Sequence, residues 1–123
     1  MTIEDIHDDY ALCDGEILSY TVDVARCSFA VRLLVRKIIG KQTFQECKIE
    51  LVFSECDSID ISEDFRTSGT YSDITLAKLS DGTFYLSLDP YGNFGEPHEN
   101  DNYVIVGSSL ALVLDTGDTF ELS

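Results

Sequence analysis

The stretch SFAVRLLVRKIIGKQTFQECKIELVF, residues 28–53, decides the fold. Apolar and polar positions alternate on both sides of Gly40, and β-branched and aromatic residues recur, which is the pattern of two half-buried strands joined by a tight turn. Folding the stretch back so that Phe29 faces Phe53 sets Val31 opposite Leu51, Leu33 opposite Ile49 and Val35 opposite Cys47. All four pairs fall on one apolar face. The other face then pairs Arg32 with Glu50, Arg36 with Glu46 and Ile38 with Phe44, so opposite charges meet across the strands. A slip of two residues in either direction would set Arg32 or Arg36 against Lys48. Apolar matching and charge matching therefore select one register independently. The turn falls around Gly40-Lys41-Gln42, a three-residue loop.

Working outward, a second hairpin runs from Ser72 to Leu88, with Asp81-Gly82 as a two-residue type I′ turn. That turn pairs Leu79 with Phe84, Ala77 with Leu86 and Thr75 with Leu88 on an inward face, and Lys78 with Tyr85 outside. Further strands are expected at Ile17–Val24, Tyr103–Val106 and Leu110–Leu114, with Thr119–Leu122 returning after Asp115-Thr116-Gly117-Asp118. Helix is scarce. Thr2 followed by Asp5 has the form of a capping box, and Ile3, Ile6 and Tyr10 keep helical spacing, which predicts a short N-terminal helix. Ser62–Arg66 offers one further turn. The expected fold is all-β with minor α: an antiparallel β-sandwich or partly open barrel of about seven short strands. A length of 123 residues fits one domain over residues 1–123, large enough to bury a core without metals or disulfides.

Four cysteines, Cys13, Cys27, Cys47 and Cys56, show neither C-x-x-C spacing nor the density of a disulfide scaffold, and are expected to be reduced and mostly buried. In the register above, Cys27 and Cys56 lie near one another but point to opposite faces. The first residues lack a basic and apolar leader, and the longest apolar run, Phe29–Ile39, is broken by Arg32, Arg36 and Lys37. The chain is expected to be cytoplasmic.

Charge is the composition signal furthest from the ordinary. With 23 Asp and Glu against 8 Lys and Arg, the net charge is −15. Such a field repels nucleic acid and anionic membrane and speeds encounter with basic proteins. No P-loop, G-x-G-x-x-G or H-E-x-x-H is present, and the two histidines, His7 and His98, are far apart in sequence. No enzyme activity, cofactor or metal site is expected.

The most unusual segment is LDPYGNFGEPHENDN, residues 88–102. Its span from Asp89 to Asp101 is long for a loop in a compact domain. Asp89, Glu96, Glu99 and Asp101 bring carboxylates, Tyr91 and Phe94 bring large apolar faces, and Asn93 adds an amide. Aromatic anchors among polar groups are the composition of a protein interface, so these seven residues form the expected partner-binding set; the alternative is an ordinary structural loop whose aromatics fold back onto the sheet. The order of acids and glycines does not fit the spacing of an EF-hand calcium loop.

The segment Ser87-Leu88-Asp89-Pro90-Tyr91-Gly92, continuing to Glu99-Asn100-Asp101-Asn102, resembles a stretch found in small bacterial proteins without an assigned role. In size, acidity and β-content the chain as a whole resembles the immunity proteins of bacterial polymorphic-toxin and contact-dependent inhibition systems. That resemblance implies an inhibitor that binds a co-encoded basic toxin, often a nuclease, and covers its active site. It carries over no individual functional residue. The alternative is a non-enzymatic accessory domain that binds a peptide, a sugar or another subunit through its sheet.

Overall fold

The computed structural model describes residues 1–61, 70–92 and 95–123. Among these residues there is one helix, α1 (Ile3–Asp9), followed by β1 (Tyr10–Asp23), β2 (Ser28–Gly40), β3 (Thr43–Ile59), β4 (Thr70–Ser72), β5 (Thr75–Lys78), β6 (Phe84–Asp89), β7 (Asn102–Leu114) and β8 (Thr119–Glu121). All eight strands belong to one antiparallel sheet in the order β4-β1-β2-β3-β7-β6-β5, with β8 added to β7. Of the two expected architectures, the open barrel is the one formed: the sheet curls into a half-barrel. Asp73 and Ile74 alone separate β4 at one edge of the strand order from β5 at the other. Three peptide steps span at most about 11 Å, so the two edges must come close together.

The β2–β3 register is the expected one, from Phe29 opposite Phe53 through Leu33 opposite Ile49 to Ile38 opposite Phe44. The register shifts between Ile38 and Gly40, and Gly40 pairs with Thr43. The turn is therefore two residues, Lys41-Gln42, rather than three. Arg32 and Arg36 do lie opposite Glu50 and Glu46, yet the one ion pair among the described residues joins Arg26 to Asp23, at 3.8 Å. Arg36 is drawn aside: its Nη2 donates to the Cys13 carbonyl at 3.2 Å, and its guanidinium lies 5.3 Å from the centre of the Phe44 ring.

The second hairpin departs from expectation by one residue. Leu76 faces Leu86 and Lys78 faces Phe84, while Ala77 faces Tyr85 and Thr75 faces Ser87. The cause is the turn. Gly82 N–H donates to the Leu79 carbonyl and Leu79 N–H to the Thr83 carbonyl, which makes Ser80-Asp81-Gly82 a three-residue loop with Gly82 at φ +90°. A type I turn closed by a left-handed glycine is the standard three-residue solution. The added residue moves every pair by one.

Four strands, β1, β2, β3 and β7, are 13 to 17 residues long rather than short. Register shifts in β1 and near Cys56 in β3 let them coil around the core, as bulges do. The polar stretch Gly107-Ser108-Ser109 does not break β7. At Gly107 a Cβ would stand 3.1 Å from the Ser54 carbonyl oxygen, so the neighbouring strand passes too close for a side chain.

The inner face of the curl is filled by Phe29, Val31, Leu33, Ile49, Leu51 and Phe53 from the first hairpin and by Leu76, Leu86, Leu88, Ile105 and Leu112 from the far strands. Helix α1 packs on β1, β2 and β5. Thr2 Oγ1 accepts from Asp5 N–H and Asp5 Oδ2 accepts from Thr2 N–H, the expected capping box. Seven residues are too few for a helix to stand alone. Buried Ile3 and Ile6 hold it in place, and His7 Nε2 donates to the Leu76 carbonyl of β5 at 2.9 Å. The expected turn at Ser62–Arg66 lies outside the described residues.

The four thiols are free, but Cys13 and Cys27 are exposed and Cys47 and Cys56 half-buried, so the expectation of mostly buried cysteines is corrected. Cys47 and Cys56 pack against the core only in part, and Cys27 lies in the turn between β1 and β2. Cys27 and Cys56 also line one hollow rather than opposite faces. Cys27 at φ +50° and Glu55 at φ +51° leave the regular alternation, and Cys56 N–H donates to the Cys27 carbonyl at 2.8 Å. No helix among the described residues is long and apolar enough to cross a membrane.

Candidate interaction loop

The segment between β6 and β7, described at residues 90–92 and 95–101, is bonded through Asp101 to Tyr85 on the face of β6 that points away from the core. Strand alternation puts Phe84, Leu86 and Leu88 in the core and turns Tyr85 and Ser87 outward. Both are nonetheless buried. Ser87 Oγ donates to the Asn102 carbonyl at 2.7 Å and accepts from Asp89 N–H, and Asn102 Nδ2 donates to Asp89 Oδ2. These contacts pin the two stems of the loop.

Asp101 organises what lies between. Its Oδ2 accepts from the Tyr85 hydroxyl at 2.6 Å and from His98 N–H at 2.9 Å, and its Oδ1 accepts from Tyr91 N–H at 2.8 Å. Asp101 N–H in turn donates to the His98 carbonyl. Burial pushes the Asp101 carboxyl up, but these hydrogen bonds and the nearby His98 outweigh it and hold the pKa below the usual carboxylate range. The Tyr85 hydroxyl is driven well above its ordinary value, first by burial and then by its bond to Asp101. Three donors converging on one carboxylate are the reverse of the oxygen cage that a hard cation requires.

Tying Tyr91 and His98 to the same carboxylate brings their rings together. They stack with centroids 4.3 Å apart and planes 10° from parallel, and Asn100 N–H donates to His98 Nδ1. Tyr91 remains 61% exposed. Around this platform Asp89, Glu96 and Glu99 are exposed. Residues 79–123 hold eight Asp and Glu and no Lys or Arg of their own.

Of the seven residues expected to meet a partner, Asp89, Tyr91, Glu96 and Glu99 are thus presented outward. Asp101 is half-buried and fastens the loop from within. Asn93 and Phe94 lie outside the described residues. Sequence reasoning missed His98 as the partner of the Tyr91 ring and Tyr85 as the anchor of Asp101. Both pairings depend on how the loop is bonded to β6, and no local spacing encodes that. His7 and His98 are each engaged in hydrogen bonds to backbone groups, His7 with the Leu76 carbonyl and His98 with the Asn100 N–H. Among the described residues, no group of three or more His, Cys, Asp or Glu is placed to hold a metal ion.

No protein family matches the chain, and no curated protein or solved structure shows significant similarity to it.

Proposed function

We propose that the chain is a protein-binding module of the inhibitor type, an immunity protein that neutralises a basic toxin domain by covering its active site. The observation that carries this reading is the pre-organised loop. Asp101 fixes an exposed Tyr91–His98 platform in advance of binding, which reduces the ordering cost that a flexible loop would meet on association. An aromatic platform rimmed by carboxylates has the composition of an anchor inside a polar rim. Asp89, Glu96 and Glu99 add to a net charge of −15 and steer a cationic partner toward it. A nuclease groove built for phosphates is one such partner.

The test is a pull-down with the products of adjacent genes at low and high salt. Recovery of a basic protein whose capture weakens as salt rises supports the reading. Recovery of no basic protein, or of one bound equally by wild type and by Tyr91→Ala, defeats it.

A further inference from the structure

The two ends of the β2–β3 ribbon differ in charge and are both apolar. Residues 28–53 hold five of the chain's eight Lys and Arg and two of its 23 Asp and Glu, so this hairpin carries +3 and the rest of the chain −18. β1 pairs with β2 no further than Lys37, and β7 pairs with β3 only from Ile49 onward. Beyond those points the ribbon projects without a neighbouring strand among the described residues. Its tip exposes Ile39 (54%) and Phe44 (48%) together with Ile38, beside Lys37 and Lys41.

About 40 Å away along the same strands, the opposite end forms a hollow of about 310 Å³ lined by Val22, Val24, Cys27, Cys56, Ile59 and Ile61. Val24 is 81% exposed. The acid Asp57 also lines the hollow, and Glu55 and Asp60 are exposed on the same segment. One pole is therefore an apolar knob with cations, and the other is an apolar socket with anions. A knob cannot reach the socket of its own chain across the length of the ribbon.

We propose that the chain associates head to tail, the basic hairpin tip of one copy seated in the acid-rimmed hollow of the next. A second copy is the occupant because it supplies both complementary surfaces. Anionic membrane, the other surface that a basic apolar tip could meet, is repelled by the −18 carried on the remainder. The contact is heterologous, so it generates open chains or a ring rather than a closed two-fold dimer. Two bodies of like net charge also repel at long range, whereas the pole-to-pole charges meet at contact. Near 0.15 M salt the Debye length is about 8 Å, which screens the first more than the second. Association is thus strongest at intermediate salt, unlike capture of a basic partner by the acidic loop, which weakens steadily with salt.

Sedimentation velocity on the full chain tests this, with two variants confined to exposed residues. Ile39→Glu with Lys41→Glu disables the tip, and Val24→Lys with Asp57→Lys disables the hollow. Wild type should show a sedimentation coefficient that rises with concentration past that of a dimer, and each variant alone should stay monomeric. An equimolar mixture of the two variants retains one working tip and one working hollow, and should give a dimer and nothing larger. Alkylation of Cys27 in wild type should slow as concentration rises. A wild type that stays monomeric into the millimolar range overturns the proposal, as do variants that associate like wild type and a variant mixture that stays monomeric. Binding of the tip to phosphatidylserine vesicles in place of self-association overturns it as well.

Discussion

Replacing Asp101 with Asn changes one atom type and removes the charge on which the loop is built. Three donors, from Tyr85, Tyr91 and His98, are aimed at two carboxylate oxygens. An amide offers a single oxygen, which can keep the two donors at the Oδ2 position, while its NH2 group then faces the Tyr91 N–H. Hydrogen bonds to a charged acceptor contribute about 1.5–3 kcal/mol and neutral ones about 1 kcal/mol. Weakening two bonds and losing a third, discounted because the site is partly solvated, costs about 2 kcal/mol. The loss is local to the loop. Hydrogen exchange at the Tyr91 and His98 amides should therefore accelerate about thirtyfold, while amides of the β2–β3 core such as Leu33 and Leu51 keep their protection. Tyr85→Phe, which deletes one of the three donors, should fall between wild type and Asp101→Asn. Unchanged exchange at Tyr91 and His98 in Asp101→Asn would refute the assignment of Asp101 as the fastener.

The same carboxylate sets an acid limit. Its folded pKa lies below the unfolded value, so its contribution is complete above the unfolded pKa and disappears as pH falls through the folded one. Protection of the Tyr91 amide should hold from neutral pH to about pH 5 and fade below about pH 4.

Three further substitutions test the fold. Leu33→Ala removes a fully buried side chain opposite Ile49 and should lower the unfolding free energy in urea by about 3 kcal/mol. Gly107→Ala drives a Cβ to 3.1 Å from the Ser54 carbonyl oxygen, where backbone must give way, and should cost about 1–3 kcal/mol in the same assay. Thr2→Ala removes the helix cap and should cost about 1 kcal/mol with the denaturant slope unchanged.

The first hairpin was legible because its two faces carry separate messages that agree. Phe29, Val31, Leu33 and Val35 demand apolar partners, and Arg32 and Arg36 demand acids, and one register meets both. The second hairpin lacked that redundancy. Asp81-Gly82 serves a two-residue turn or the end of a three-residue one, and Lys78 next to Tyr85 or Phe84 offers no charge to choose between them. The capping box at Thr2 and Asp5 was readable because it is local. The long strands were not, since the left-handed Asp14 and Glu55 and the polar Gly107-Ser108-Ser109 look like strand ends when they are places where a strand bends or passes close to its neighbour. At the loop, composition singled out the segment and the outward-facing Asp89, Tyr91, Glu96 and Glu99. The role of Asp101 was hidden because it depends on Tyr85, which is distant in sequence and bonded to it only in the folded chain.

The most direct test of the proposed function is the binding kinetics of the basic partner recovered by pull-down, measured against loop variants. Tyr91→Ala removes the anchor and should raise the off-rate by more than about tenfold with little change in on-rate. Glu96→Gln with Glu99→Gln should instead slow association and flatten its dependence on salt. Variants that bind with the rates of the parent would contradict the account, because the platform and its acidic rim would then play no part in recognition.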